Sequence, residues 1–133
     1  MGGSSSQPLP PVDPKATEAL LIAARRCDST AVHGLLAARA DPDVRSKKAK
    51  RPAISFASQC ADGGADIVRD LIRARADVNL PAQDQSTALH VAVAWERRTV
   101  IPLLVAAGAN REAKDSHGHT PVSLASRRNG VSV

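Results

Sequence analysis

Thr87-Ala88-Leu89-His90-Val91-Ala92 and Thr120-Pro121-Val122-Ser123-Leu124-Ala125 are near copies that begin 33 residues apart. A period of that length marks a chain of stacked helical units, each too small to bury its own apolar face. Extending the register backwards aligns Ala23, Ala57, Ala92 and Ala125 in steps of 34, 35 and 33. A second anchor, Ala40-Asp41, Ala76-Asp77 and Ala109-Asn110, steps by 36 and 33. Between the anchors lie apolar clusters: Val32 with Leu35-Leu36, Ile67-Val68 with Leu71-Ile72, and Val100-Ile101 with Leu103-Leu104-Val105. Asp62-Gly63-Gly64 lengthens the turn between the second unit's helices, and the segment from Arg45 to Arg51 carries an extra residue, which accounts for the uneven steps. The chain reads as three units and a fragment.

Each position has a physical reason. Thr87 and Thr120 can cap a first helix with their hydroxyls, and Pro121 occupies the first helical position, where its missing N–H costs nothing. The small alanines let neighbouring helices approach closely. Gly108 ends a second helix in the left-handed conformation, and Asp41, Asp77, Asn79 and Asn110 suit the hairpins that follow. These residues resemble the ankyrin repeat over roughly 13–128, most closely from Thr87 to Lys114. The resemblance implies an all-α, ankyrin-repeat helical solenoid with short hairpin loops. It divides the chain into a Gly/Ser/Pro tail at 1–12, repeats at about 13–46, 47–81 and 82–114, a partial repeat at 115–128, and a tail at 129–133. The first unit departs from the signature with Glu18-Ala19-Leu20-Leu21 and the second with Pro52-Ala53-Ile54-Ser55. Arg39 and Arg75 stand where Gly108 does, so strain is expected at those two helix ends.

Composition agrees with this architecture. At 133 residues the chain is long enough for one domain with a modest core. With one Phe, one Trp and no Tyr, that core must be Ala, Leu, Val and Ile, which suits closely packed helices and argues against a β-sandwich. With few repeats, two of them degenerate, a marginal domain is expected.

No apolar run reaches the ~18 residues needed to span a membrane, and there is no secretory signal pattern. Cys27 and Cys60 are too few for a disulfide framework, and helices in a stack lie ~8–10 Å apart, so reduced structural thiols are expected. The corresponding location is cytoplasmic, with cytoskeletal association or the nucleus as alternatives. The N-terminal Met1-Gly2-Gly3-Ser4-Ser5-Ser6 meets the minimal pattern for myristoylation at Gly2, although any Gly/Ser tail would match so loose a pattern.

The charge balance is basic, with 18 Lys and Arg against 13 Asp and Glu. The densest run, Arg45-Ser46-Lys47-Lys48-Ala49-Lys50-Arg51, falls on the first hairpin. It reads as a contact for an acidic protein or RNA, as a nuclear-import motif, or as a solvated loop. Aromatic interleaving of the kind used to stack bases is absent. There is no Cys-x-x-Cys, no phosphate-binding glycine loop and no Gly-x-Ser-x-Gly, so no enzyme and no cofactor is expected. Asp115, His117 and His119 alternate on a hairpin, but without a further well-placed ligand they make no metal site.

The function implied is a non-enzymatic protein–protein interaction module, a small adaptor or structural subunit of a larger assembly. RNA or ribonucleoprotein contact through 45–51 is the alternative, and inhibition of an enzyme such as a kinase is a further one that rests on family analogy alone. In such stacks the ends of first helices and the hairpin tips line the concave face. By register these are Arg25-Arg26, Gln59-Cys60, Ala94-Trp95 and Arg127-Arg128, with Lys47, Lys48 and His117 on the hairpins. Trp95 between basic residues is the expected anchor. An acidic partner is expected for Arg25, Arg26, Lys47, Lys48, Arg127 and Arg128. The fourth unit contains one helix, so Ile101, Leu104 and Val105 with Val122 and Leu124 are expected to be partly uncovered, and Leu104 to meet a neighbouring subunit.

Overall fold

The computed structural model describes residues 11–128 and 131–133. Among them are seven helices, α1 (Pro14–Arg25), α2 (Ser29–Ala37), α3 (Ala53–Gln59), α4 (Gly64–Arg73), α5 (Ala88–Ala94), α6 (Ile101–Ala106) and α7 (Pro121–Ser126), and no strand. The expected all-α repeat architecture is what forms. First helices α1, α3, α5 and α7 pack side by side in one row, and second helices α2, α4 and α6 in another.

Local chemistry sets the helix boundaries. Asp13 caps α1 by accepting the Lys15 N–H at 3.0 Å, and Asp28 caps α2 by accepting from Ala31 at 3.1 Å. At α7, Thr120 and Ser123 satisfy each other's backbone N–H through their hydroxyls, with Pro121 at the first position. At α5 the partner is His90, whose Nδ1 accepts the Thr87 N–H at 3.0 Å. Its Nε2 therefore carries the proton and donates to the His119 carbonyl at 2.9 Å, tying the third unit to the hairpin that follows it. Second helices end on left-handed residues, and the strain expected at Arg39 and Arg75 is present: their φ values are 71° and 69°, against 94° at Gly108.

The core lies between the two rows. Leu20, Ala23, Ala24, Val32, Ile54, Ala57, Ile67, Val68, Leu71, Leu89, Ala92, Val93 and Leu104 are buried within it. The four aligned alanines are all buried, the condition for close approach of the first helices. Outside the core, carboxylate and amide side chains link unit to unit. Asp43 accepts the Asp77 N–H at 2.7 Å, and Asn79 accepts the Asn110 N–H at 2.7 Å.

Two expectations are corrected. Cys27 and Cys60 are not free thiols; they form a disulfide with Cα atoms 5.7 Å apart, inside the bridging range. The spacing between helix axes does not apply to them. Cys27 lies past the end of α1 at φ 59°, and Cys60 caps α3, so both sit where the chain turns back. The ground for a cytoplasmic location falls with the free thiols. Leu104 is fully buried, sharing its cluster with Ile101 and Val131, so it is not available to a partner. Of the other apolar residues expected to be partly uncovered, Ile101 is buried, Val105 and Leu124 are half-buried and Val122 is exposed. No helix among the described residues is long and apolar enough to cross a membrane. Gly2 lies outside the described residues.

Candidate functional site

Three hairpins project from the helix rows. Each closes with a backbone bond: Ser46 N–H to Arg51, Ala82 N–H to Ser86, and Asp115 N–H to His119. Their tips need a left-handed residue, and Lys50, Gln85 and Gly118 supply it at φ 54°, 66° and 80°. The hairpins also join one another, since Gln83 N–H donates to Ala49 at 2.8 Å and Ser116 N–H to Asp84 at 2.8 Å. They stand as one wall, and the inner helices form the floor of the groove beside it.

That groove has a volume of about 770 Å³ and is lined by Ala49, Arg51, Gln59, Asp84, Val91 and Trp95, with Ala82, Gln83, Ser86 and Ser116 on the hairpin side. Trp95 caps α5 and is 52% exposed, although it is the chain's only Trp. The Arg97 guanidinium lies over its ring at 5.8 Å, while Arg97 Nε donates to the Gln59 carbonyl at 2.9 Å.

Next to this shelf, Phe56 on α3 attracts two cations. The Arg25 guanidinium lies 4.9 Å from the ring centre and that of Arg51 4.3 Å. Arg51 also donates to Gln59 Oε1 at 2.8 Å and to the Ser55 carbonyl at 3.3 Å. Burial pushes Arg51 below the usual guanidinium range; the Asp84 charge opposes that and the Arg25 charge adds to it. The Asp84 carboxyl is held low, chiefly by the Ser86 hydroxyl at 2.7 Å.

The expected site residues divide. Trp95 is in the groove and Arg25 beside it. Arg26, Lys47 and Lys48 are exposed, the lysines next to the groove residue Ala49. Arg127 and Arg128 line a separate hollow with Glu96 and Leu124. His117 is exposed on the third hairpin, its ring stacked 6.2 Å from His119. Asp115 accepts the N–H groups of His117 and His119, both at 2.9 Å, which is a turn-forming role. No group of three or more His, Cys, Asp or Glu among the described residues could hold a metal. The sequence placed Arg51 only within the basic run, without the role its contacts give it, and Phe56 and Asp84 were not singled out. A lone Phe five residues beyond the end of a basic run was the available signal.

The chain matches the family model described as ankyrin repeats (3 copies) over residues 20–115 and again over 54–133. It is similar to the RelA-associated inhibitor of Mus musculus, at 31% identity over 91 residues, covering 65% of this chain and 11% of that protein. It is similar to Rabankyrin-5 of Homo sapiens, at 36% identity over 76 residues, covering 47% of this chain and 6% of that protein. A third similarity, 37% over 98 residues, is to the glycerophosphocholine phosphodiesterase gde1 of Schizosaccharomyces pombe, covering 72% of this chain and 8% of that enzyme. The matched part is thus 6% to 11% of the length of these relatives.

Proposed function

The chain belongs to the ankyrin-repeat family, whose repeats mediate protein–protein interaction, and we propose that it grips a protein partner in the groove between its inner helices and hairpins. It acts without catalysis, as a small adaptor or structural subunit of a larger assembly. The observation that carries this reading is Trp95, a large aromatic side chain 52% exposed on the groove floor. Aromatic and arginine side chains dominate binding hot spots, and Trp95 shares this groove with Arg51 and has Arg97 over its ring. The net charge of +5 favours an acidic partner by steering its approach. The contacts we propose are Trp95, Arg25, Arg26, Lys47, Lys48, His117, Arg127 and Arg128.

The test is a pull-down from cell extract at high salt, with wild-type chain and Trp95→Ala as baits. A protein held by the wild type and lost by the variant supports the reading. A protein held equally by both contradicts it. So does RNA binding that collapses steeply with salt and takes the place of protein capture.

A second reading, inhibition of the bound partner, is favoured by the printed name of the RelA-associated inhibitor, similar over 65% of this chain. Loss of the captured partner's own activity on titration with the chain would support it. A cytoplasmic site remains our proposal for location, with the nucleus as alternative. Fluorescence imaging of the tagged chain in intact cells tests it, and a signal confined to another compartment would contradict it.

A further inference from the structure

The groove reading can be deepened to the chemistry of the bound segment, and this step rests on that reading. We infer that the groove takes an extended peptide carrying an acidic residue beside an apolar one. The carboxylate seats on Arg51 and Arg25 next to Phe56, and the apolar side chain lies on Val91 and Trp95.

Four observations carry it. First, Arg25 and Arg51 both lie over one ring, at 4.9 and 4.3 Å, and neither makes an ion pair with a carboxylate among the described residues. Two cations gathered on one ring repel, and an anion at the ring edge relieves both. Second, Arg51 is pre-set as a receptor. Gln59 Oε1 and the Ser55 carbonyl take donors from one of its terminal nitrogens, leaving the rest of the fork free among the described residues. Third, Asp84 forms no ion pair with either arginine, although its charge is felt at Arg51; its Oδ1 accepts the Ser86 N–H at 3.1 Å and the Ser86 hydroxyl at 2.7 Å. It instead gives the opposite wall a negative group suited to a donor of the peptide. Fourth, the basic and aromatic halves are mechanically joined. Gln59 accepts Arg51 through its side chain and Arg97 through its carbonyl, and Arg97 covers Trp95. One residue thus sets the spacing between the anion seat and the apolar shelf.

Panning a phage-displayed library of random linear peptides against the disulfide-intact chain tests the inference. Enriched peptides should carry Asp or Glu beside Leu, Ile, Phe or Trp, and should shift Trp95 emission. Replacing the acid by its amide in a synthetic binder should weaken it about tenfold on wild type and far less on Arg51→Gln. Arg25→Gln, at an exposed position, serves as second variant where Arg51→Gln disturbs the circular dichroism spectrum. Binders that depend on Trp95 but lack an acid, or whose acid matters equally to Arg51→Gln and wild type, overturn the anion seat and leave the groove reading intact. Binders indifferent to Trp95→Ala, or no enrichment at all, overturn both.

Discussion

Cys27 and Cys60, with Cα atoms 5.7 Å apart, are joined in a disulfide that staples the first unit to the second across 33 residues of chain. A crosslink of that span restricts the unfolded chain by an amount worth about 3–4 kcal/mol. Urea denaturation with and without reductant should show a loss of that order, reproduced by the double variant Cys27→Ser, Cys60→Ser. Identical midpoints would show that the staple carries no stability.

Arg39 and Arg75 hold left-handed φ values of 71° and 69° that glycine adopts without strain. Arg39→Gly and Arg75→Gly should therefore be neutral or stabilising, by up to about 1 kcal/mol each. Gly108→Ala should be destabilising by a similar amount, although a Cβ there would meet nothing within 4 Å. Thermal midpoints that move in the opposite sense would contradict the conformational account.

Gly64 opens α4 where the chain passes close to α3. A Cβ at this position would lie 2.9 Å from the Ala57 carbonyl oxygen and 3.3 Å from Cys60 Cβ. Since the first of these is backbone, Gly64→Ala should cost about 1–3 kcal/mol. Gly34→Ala, which meets nothing within 4 Å, is the control and should be tolerated.

Acid should loosen the hairpins. Asp84 is held below the ordinary carboxyl range first by the Ser86 hydroxyl. For Asp115 burial pushes upward, but the N–H groups of His119 and His117 outweigh it and the net shift is downward. In both cases the folded value lies below the unfolded one. The stabilisation is complete above the unfolded pKa and is lost as pH falls through the folded one. Stability measured from neutral pH down to about pH 3 should fall less steeply in Asp84→Asn and Asp115→Asn than in wild type. An unchanged slope would contradict the role given to these carboxylates.

What was legible in the sequence was periodic. The alanine register, the Thr/Pro caps, Gly108 and its arginine counterparts, and the extra glycines at 63 and 64 each act within one unit, so their spacing reveals them. The disulfide was hidden because the distance between helix axes is a poor guide to Cys27 and Cys60, which sit past or at helix ends. Leu104 is buried in the common core, which Val131 also joins, and Ser132 and Val133 lie along Ile101 and Val105, a placement of the tail that no repeat spacing announces. The Arg25–Phe56–Arg51 cluster escaped for a related reason. It draws side chains from α1, a hairpin base and α3, and no spacing rule connects those places.

The central claim is that Trp95 anchors a partner in the groove. The most direct measurement is the affinity of the captured partner for wild type and for Trp95→Ala, with circular dichroism confirming that both are folded. Since Trp95 is the only Trp and the chain has no Tyr, its emission also reports on the groove as binding proceeds. The account predicts an emission change on binding and a loss of about 30-fold or more in the variant, the scale of a hot-spot aromatic. Equal affinities with two intact folds, and Trp95 emission unmoved by the partner, would contradict it.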